Sequence, residues 1–154
     1  MEPTDPNPIR VTMMLADHAQ AADGKLNVIG GGWSVTGPGP VPFAIAMIFE
    51  VPWNLANREH RFRLELIDRD GNAVIAGTPE GDQPIALEGG FEVGRPPGTP
   101  VGTPFTMPVA INVPSPPPIP PGGRYEWRLE VNGETREDWR LGFATRPDSQ
   151  SQAA

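Results

Sequence analysis

Apolar and polar residues alternate along several stretches of this chain, with the period of a β-strand that buries one face. Every second residue from Ile9 to Leu15 is apolar, and the same alternation recurs in segments 60–68, 105–113, 124–131 and 139–143. Pro108 lies inside one of these segments and cannot donate a ladder hydrogen bond. We therefore expect 105–113 to be an edge strand.

The segment 43–51 ("FAIAMIFEV") differs because it is apolar on both faces. Such a strand is either central and covered on both sides, or it faces a partner. Ala44, Ala46 and Ile48 lie on its second face, which we expect to be an outer face of the sheet. Met14 is a further apolar residue on an expected outer face, and we call these residues the apolar surplus. Cover by a proline-rich loop and contact with a second chain would each explain this surplus.

Turn signals separate the strand candidates. "DRDGN" (68–72) predicts a hairpin turn that leads into "AVIAG", and "NGE" (132–134) predicts another. "DHAQAADG" predicts a single helical turn or a wide turn before a strand at 25–29. Segment 85–93 predicts one or two weaker strands, broken by Gly89 and Gly90.

The composition fits short strands joined by many turns. Proline (21) and glycine (18) are costly inside helices, so their abundance excludes a mostly helical protein. We predict an all-β fold, an antiparallel β-sandwich of immunoglobulin-like or jelly-roll-like type, with about eight strands. One domain would span residues 9–145, between disordered tails at 1–8 and 146–154.

Two proline-rich loops interrupt this pattern, at 94–104 and 114–123. The second resembles a PxxP ligand, but both of its ends join strong strands, which favours a stiff crossover between sheets. Tyr125 follows it in "GGRYEWRLEVNG". In immunoglobulin-like sandwiches a tyrosine near the start of a late strand bonds back across a corner, and Tyr125 has the position for that role.

Charge and cysteine content exclude several function classes. The formal net charge is −7, which makes nucleic acid and anionic membranes poor partners. The absence of cysteine excludes disulfides, thiolate nucleophiles and cysteine-ligated metals. The first residues resemble no secretory signal, and no apolar run approaches the roughly 20 residues of a membrane helix, so we expect a cytoplasmic protein.

The most nucleotide-like feature is "GKLNVIGGGWSV" (24–35). A phosphate-binding loop needs a helix directly after its glycines, whereas Pro38, Pro40 and Pro42 forbid one here. The three glycines at 30–32 instead predict a bulge or a close backbone approach, with Trp33 packed on the core or capping the sheet.

Other candidate sites are weak. "DRDGN" lacks the glycine and glutamate positions of a calcium loop. His18 and His60 have no metal-motif spacing, and no serine lies in a nucleophile-elbow pattern. We therefore predict no catalytic residue, no cofactor and no metal site. The candidate interface is the apolar surplus, with one tryptophan nearby in sequence: Met14, Ala44, Ala46, Ile48 and Trp33.

The stretch "MMLADHAQAADGKLNVIGGGW" (13–33) resembles the opening of an uncharacterised, largely actinobacterial family of small bacterial proteins, and "FRLELIDRDG" and "GGRYEWRLEVNGE" are also similar to it. This family is a domain of unknown function. The resemblance implies a single intact domain and a bacterial cytosolic setting, and it implies no activity, cofactor or site residues.

These features together predict a non-enzymatic binding or assembly module that acts through a sheet face or a strand edge. Its expected partner is a protein or a further copy of the chain, and a small-molecule ligand is not excluded. One alternative is a phage- or virion-associated structural protein. The other is a small-ligand or carbohydrate-binding sandwich that uses Trp33, Trp53 or Trp139 as a stacking platform.

Overall fold

The computed structural model describes residues 8–148, so residues 1–7 and 149–154 of the predicted tails lie outside the described residues. This part of the chain contains no α-helix, one 3₁₀ turn at Trp53–Leu55 and twelve strands. The strands are β1 (Arg10–Ala16), β2 (His18–Ala22), β3 (Lys25–Ile29), β4 (Val35–Thr36), β5 (Phe43–Val51), β6 (Glu59–Asp68), β7 (Ile75–Thr78), β8 (Gly81–Pro84), β9 (Ala86–Glu92), β10 (Phe105–Val113), β11 (Arg124–Val131) and β12 (Arg140–Thr145).

Two sheets form the body of the protein. One has three strands in the order β1-β5-β10, and the other has five in the order β4-β12-β11-β6-β9. All pairs are antiparallel except β4 with β12. The all-β, sandwich-like prediction is confirmed. Strand β10 lies at a sheet edge, as Pro108 predicts, and β5 lies in the centre of its sheet.

The core lies between the two sheets. Strand β5 contributes Ile45, Met47 and Phe49, while β6 and β11 contribute residues such as Leu64 and Trp127, all at most 2% exposed. The Phe49 ring packs against two aromatic rings of the opposite sheet, those of Phe62 and Phe91, at centroid distances of 5.6 and 4.4 Å. Each fully buried side chain of this kind contributes about 1.5–3 kcal/mol of hydrophobic stabilisation.

The five-stranded sheet turns its other face towards solvent. Arg63 pairs there with Glu88 across strands at 2.6 Å and with Glu65 at 3.2 Å. Arg63 and Glu65 alternate along β6 with the buried residues Phe62, Leu64 and Leu66. Exposed ion pairs of this kind add little to stability, so the sheet is held by its buried face.

A third layer covers part of β5. Strands β2 and β3 form a hairpin, with Ala22 opposite Lys25 across a turn at Asp23–Gly24. Both turn residues have positive φ (54° and 71°), as a tight two-residue hairpin turn requires. The helical or wide turn predicted for "DHAQAADG" is therefore wrong. Its Asp-Gly pair is a hairpin signal, and the surrounding alanines obscured the strand.

Small side chains let this hairpin approach the outer face of the three-stranded sheet. Ala16, Ala19, Ala44 and Ala46 form a buried cluster, and Met14, Leu26, Val28 and Ala110 pack around it. Asn112 on β10 fixes the hairpin in place: its Nδ2 donates to the Ala19 carbonyl at 2.8 Å, and its Oδ1 accepts from the Ala19 N–H at 3.1 Å. The hairpin, and not a proline-rich loop, covers the surplus apolar face at Ala44 and Ala46.

The three consecutive glycines close this layer. Gly32 donates to the Leu15 carbonyl at 2.7 Å, which brings the chain back to β1. A Cβ at Gly31 would lie 2.7 Å from Val28 Cγ1 and 2.8 Å from Met14 Sδ, closer than side-chain packing allows. The glycines thus permit a close approach, as predicted, and Trp33 then packs on the core.

The remaining turns differ in part from expectation. At "DRDGN" the Asp68 carboxylate accepts from the N–H groups of Asp70 and Asn72, both at 2.9 Å, so the predicted turn is confirmed. The chain then leaves the sheet in the short β7–β8 hairpin, whose second strand has no apolar alternation to reveal it. Gly89 and Gly90 do not break β9, because the Phe62 ring packs over Gly89.

Tyr125 makes the corner contact that the sequence suggests. Its hydroxyl donates to the Pro120 carbonyl at 2.9 Å, five residues earlier in the chain. The bond joins the start of β11 to the proline-rich loop before it. Partial burial raises the pKa of the Tyr125 phenol above its ordinary value, and the negative charge of Asp68 adds to the effect.

Replacing Asn112 by alanine tests how the hairpin is held. Asn112→Ala leaves the Ala19 backbone groups without their side-chain partners, so we expect a loss of about 1 kcal/mol in the free energy of unfolding. Amide exchange in β2 and β3 should accelerate more than in β6. Urea denaturation and hydrogen-exchange NMR measure the two effects. Asn27→Ala, an exposed site on β3, is the control; equal losses in both variants would contradict the assigned role.

Replacing Tyr125 by phenylalanine tests the corner. At neutral pH, Tyr125→Phe should cost about 1 kcal/mol through the lost hydrogen bond. A raised folded-state pKa gives stability that is fully present below the unfolded value of about 10 and is lost as the pH rises through the higher folded value. The wild type should therefore lose stability more steeply than Tyr125→Phe between about pH 9 and about pH 11. Parallel stability curves over this range would show that the phenol does not titrate as described.

Candidate functional site

An apolar pocket opens at the end of the sandwich where β5 begins and β10 ends. Its walls come from both sheets and from the loops 37–42 and 114–123. The cavity volume is about 40 Å³. The lining residues are Trp33, Thr36, Gly39, Pro40, Val41, Phe43, Pro116, Pro117, Ile119, Trp127, Phe143 and Thr145. We call this feature the end pocket.

Aromatic rings form the floor of the end pocket. Trp33 contacts Phe43 and Phe143 edge-on, with centroid distances of 6.3 and 5.9 Å. Phe43 in turn packs against Trp127 at 6.1 Å. Edge-on aromatic pairs of this kind are favourable beyond the area that they bury. Because each ring contacts another ring, the floor is a preformed apolar surface.

The two loops that wall the end pocket are tied to β12 and its continuation. The Thr145 hydroxyl donates to the Pro120 carbonyl at 3.0 Å, and the Gly122 N–H donates to the Arg146 carbonyl at 3.1 Å. The Arg146 guanidinium donates to the Gly37 carbonyl at 2.9 Å. Loop 114–123 is thus the stiff crossover between the sheets that its prolines predict, and it is anchored at several points.

The chemistry of the end pocket is that of an apolar receptor. Among residues 8–148, no titratable side chain lines it, and the hydroxyls that line it belong to Thr36 and Thr145. The Thr145 hydroxyl already bonds to the loop backbone. The arrangement can desolvate and enclose a small apolar group.

The predicted interface residues lie in different places. Ala44 and Ala46 are at most 1% exposed beneath the β2–β3 hairpin, with half-buried Met14 beside them, so the two alanines have no surface to offer a partner. Ile48 lies further along β5, in a shallow groove shared with Thr12. Trp33 lies in the floor of the end pocket. The structure therefore brings together Met14, Ala44 and Ala46, and separates Trp33 from them.

Sequence reasoning missed the residues at the mouth of the end pocket. Val41 and Ile119 are the lone large apolar residues in the uncharged, proline-rich segments 37–42 and 114–123. Their isolation was the signal that could have identified them, because an apolar residue in a proline-rich loop does not belong to the buried face of a strand. Val41 is 48% exposed, and Val35 on neighbouring β4 is 45% exposed.

The tryptophans proposed as a sugar platform do not present free faces. Trp139 is only 2% exposed. The Trp53 ring stacks on Phe105 at 5.9 Å, and the Arg95 guanidinium lies over it at 4.3 Å. Trp33 is engaged edge-on by two phenylalanines. A flat stacking surface for a carbohydrate is therefore not available at these three positions.

His60 has a structural role in the core, and His18 lies at the surface. His60 is 1% exposed; its Nε2 donates to the Leu55 carbonyl at 2.9 Å, and its Nδ1 accepts from Asn132 Nδ2 at 3.0 Å. It thus connects the 3₁₀ turn to the β11 hairpin. His18 is exposed on β2. Within residues 8–148, no three histidine, aspartate or glutamate side chains are grouped closely enough to hold a metal ion.

Comparison with known proteins places the chain in a family without assigning an activity. In the described part of the chain, no helix has the length and apolar character to cross a membrane. No curated protein sequence gives a significant match. The profile of a family of unknown function, DUF6941, matches residues 11–143, which include all but the ends of the sandwich. The chain therefore belongs to the DUF6941 family.

Proposed function

We propose that this protein is a non-enzymatic binding module whose end pocket receives an apolar side chain of a protein partner. One observation carries the proposal: the end pocket is apolar, has loop walls that are hydrogen-bonded to β12 and Arg146, and is open at its mouth. Pockets with aromatic walls and a partly hydrophobic rim are typical positions for the anchor residues of protein interfaces.

The size of the end pocket favours a side chain over a free ligand. Pockets for drug-sized molecules enclose about 300–1,000 Å³. The volume here is about 40 Å³. A single water needs about 10–15 Å³ on this measure, so the cavity suits a branched aliphatic group and not a sugar ring. This contrast ranks a protein partner above the small-ligand alternative.

The surroundings of the end pocket also suit a protein surface. Val41 lines the end pocket and is 48% exposed, so it adds exposed apolar area to the mouth. Among residues 8–148, strand β4 pairs with β12 alone and forms an edge of its sheet. Contact through a strand edge together with one anchored side chain is a recurring mode of peptide recognition.

The described residues that line the end pocket include no titratable group, which supports a non-catalytic role, since general acid–base chemistry requires such groups. The net charge of −7 supports a protein partner over nucleic acid or an anionic membrane. We further propose a bacterial, cytoplasmic setting, which rests on the resemblance of residues 13–33 to a family of bacterial proteins.

A peptide titration tests this function. Short uncharged peptides that carry one central leucine, valine or proline should shift the indole NMR signals of Trp33 and Trp127, whereas the same peptide with alanine should not. The indole signals of Trp53 and Trp139 lie outside the end pocket and provide an internal control. The expected affinity is weak, with a Kd of about 1 mM, because only one side chain is enclosed.

The variant Val41→Trp blocks the end pocket, because it replaces an exposed valine at the mouth by a much larger aromatic side chain. We expect this variant to remain folded and to lose at least tenfold in peptide affinity. Equal shifts for leucine and alanine peptides, or unchanged binding by Val41→Trp, would exclude the end pocket as the binding site.

A further inference from the structure

The most exposed large apolar side chain in the described structure belongs to Val101, at 86% exposure. It lies in the proline-rich loop 94–104, far from any core position. A single exposed apolar residue is ordinary on a protein surface. What distinguishes Val101 is its position in a loop whose two turns are closed by side-chain hydrogen bonds.

Two successive turns of the same sequence pattern build this loop. "PPGT" (96–99) and "PVGT" (100–103) each place glycine at the third position, with φ of 86° at Gly98 and 91° at Gly102. A type II turn requires such a glycine. In both turns the threonine hydroxyl donates to the carbonyl of the first proline, at 2.6 Å. Val101 occupies the corner of the second turn and projects from it.

The base of the loop is anchored as well. The Arg95 guanidinium donates to the Trp53 carbonyl and covers the Trp53 ring, which stacks on Phe105 at the start of β10. Proline content and these contacts reduce the conformational freedom that the loop would lose on binding. The Val101 side chain is therefore held in an exposed position before a partner binds, as an interface anchor requires.

Val101 and the end pocket lie at opposite ends of the sandwich. Strand β10 begins beside this loop at Phe105, opposite Val51, and ends at Val113, opposite Phe43, which lines the end pocket. Nine strand residues separate the two ends. At about 3.4 Å per residue, this length is about 30 Å. The Val101 side chain of a molecule cannot reach its own end pocket.

We propose that the end pocket binds Val101 of a second copy of this chain, so that molecules associate head to tail. This inference rests on the proposed function and names its partner. The isopropyl group of valine matches a cavity of about 40 Å³. A projecting apolar residue and a complementary pocket elsewhere on the same molecule make a heterologous contact, which produces rings or open filaments.

The electrostatics of the two ends agree with this contact. Loops 37–42 and 114–123 contain no charged residue, and neither does segment 96–104. The segments that would meet in this contact therefore bring no charged side chain of their own into it. Because a single anchor and two short loops bury less than a standard interface, association should be weak and concentration-dependent.

Sedimentation velocity over a range of protein concentrations tests the assembly. The wild-type weight-average mass should rise above 16.6 kDa as concentration increases. Val101→Asp would place a carboxylate in an apolar cavity, so association should weaken at least tenfold. Ile75→Asp changes an apolar residue that is 51% exposed on the β7–β8 hairpin and should associate like the wild type. A wild type that stays monomeric throughout, or Val101→Asp that associates normally, overturns the inference.

A mixing experiment separates this contact from a symmetric one. Val101→Asp keeps an open end pocket, and Val41→Trp keeps Val101. Each variant alone should be monomeric, whereas an equimolar mixture should form a one-to-one heterodimer and no larger species. A mixture that remains monomeric contradicts the head-to-tail contact. Circular dichroism melts of both variants show whether they are folded.

The two proposals fail in distinguishable ways. If aliphatic peptides bind the end pocket while the wild type remains monomeric, the protein is a binding module with a partner other than itself, and the head-to-tail inference is wrong. If neither peptides nor a second copy binds, the proposed function is wrong as well.

Discussion

The burial of strand β5 on both faces is the constraint on which the rest of the structure depends. One face provides the centre of the core between the two sheets, and the other is covered at Ala44 and Ala46 by the β2–β3 hairpin. A strand that is apolar on both faces needs a cover on each, because uncovered apolar area costs about 25 cal/mol per Å². The third layer, the small residues within it and the close turn at Gly31 all follow from that need.

The same packing fixes the two ends of the molecule. Phe43 begins β5 inside the aromatic floor of the end pocket, and Val51 ends it beside Phe105 and the anchored loop 94–104. The loops at the two ends are rich in proline and are hydrogen-bonded to neighbouring elements: Gly37 to Arg146, Pro120 to Tyr125 and Thr145, and Arg95 to Trp53. Loops restrained in this way are suited to recognition, because less conformational entropy is lost when a partner binds.

The apolar surplus thus divides into two parts with different roles. The part on β5 stabilises the fold, since the chain covers it with its own hairpin. Of the apolar residues that remain exposed, Val41 and Val101 lie in the loops at the two ends, where no strand alternation requires an apolar residue. These two residues are the ones on which the proposed contact depends.

The sequence by itself determined the class of fold and most of the long strands. Alternation located β6, β10 and β11, Pro108 marked an edge, and Tyr125 marked the corner, because these depend on local period and hydrogen-bonding capacity. It did not predict β2, whose alanines carry little pattern, or the pairing of Asn112 with Ala19, which are far apart in the chain. The end pocket and its distance from Val101 were decided by tertiary structure alone. Its walls come from residues between 33 and 145, and only the packing of two sheets brings such residues together.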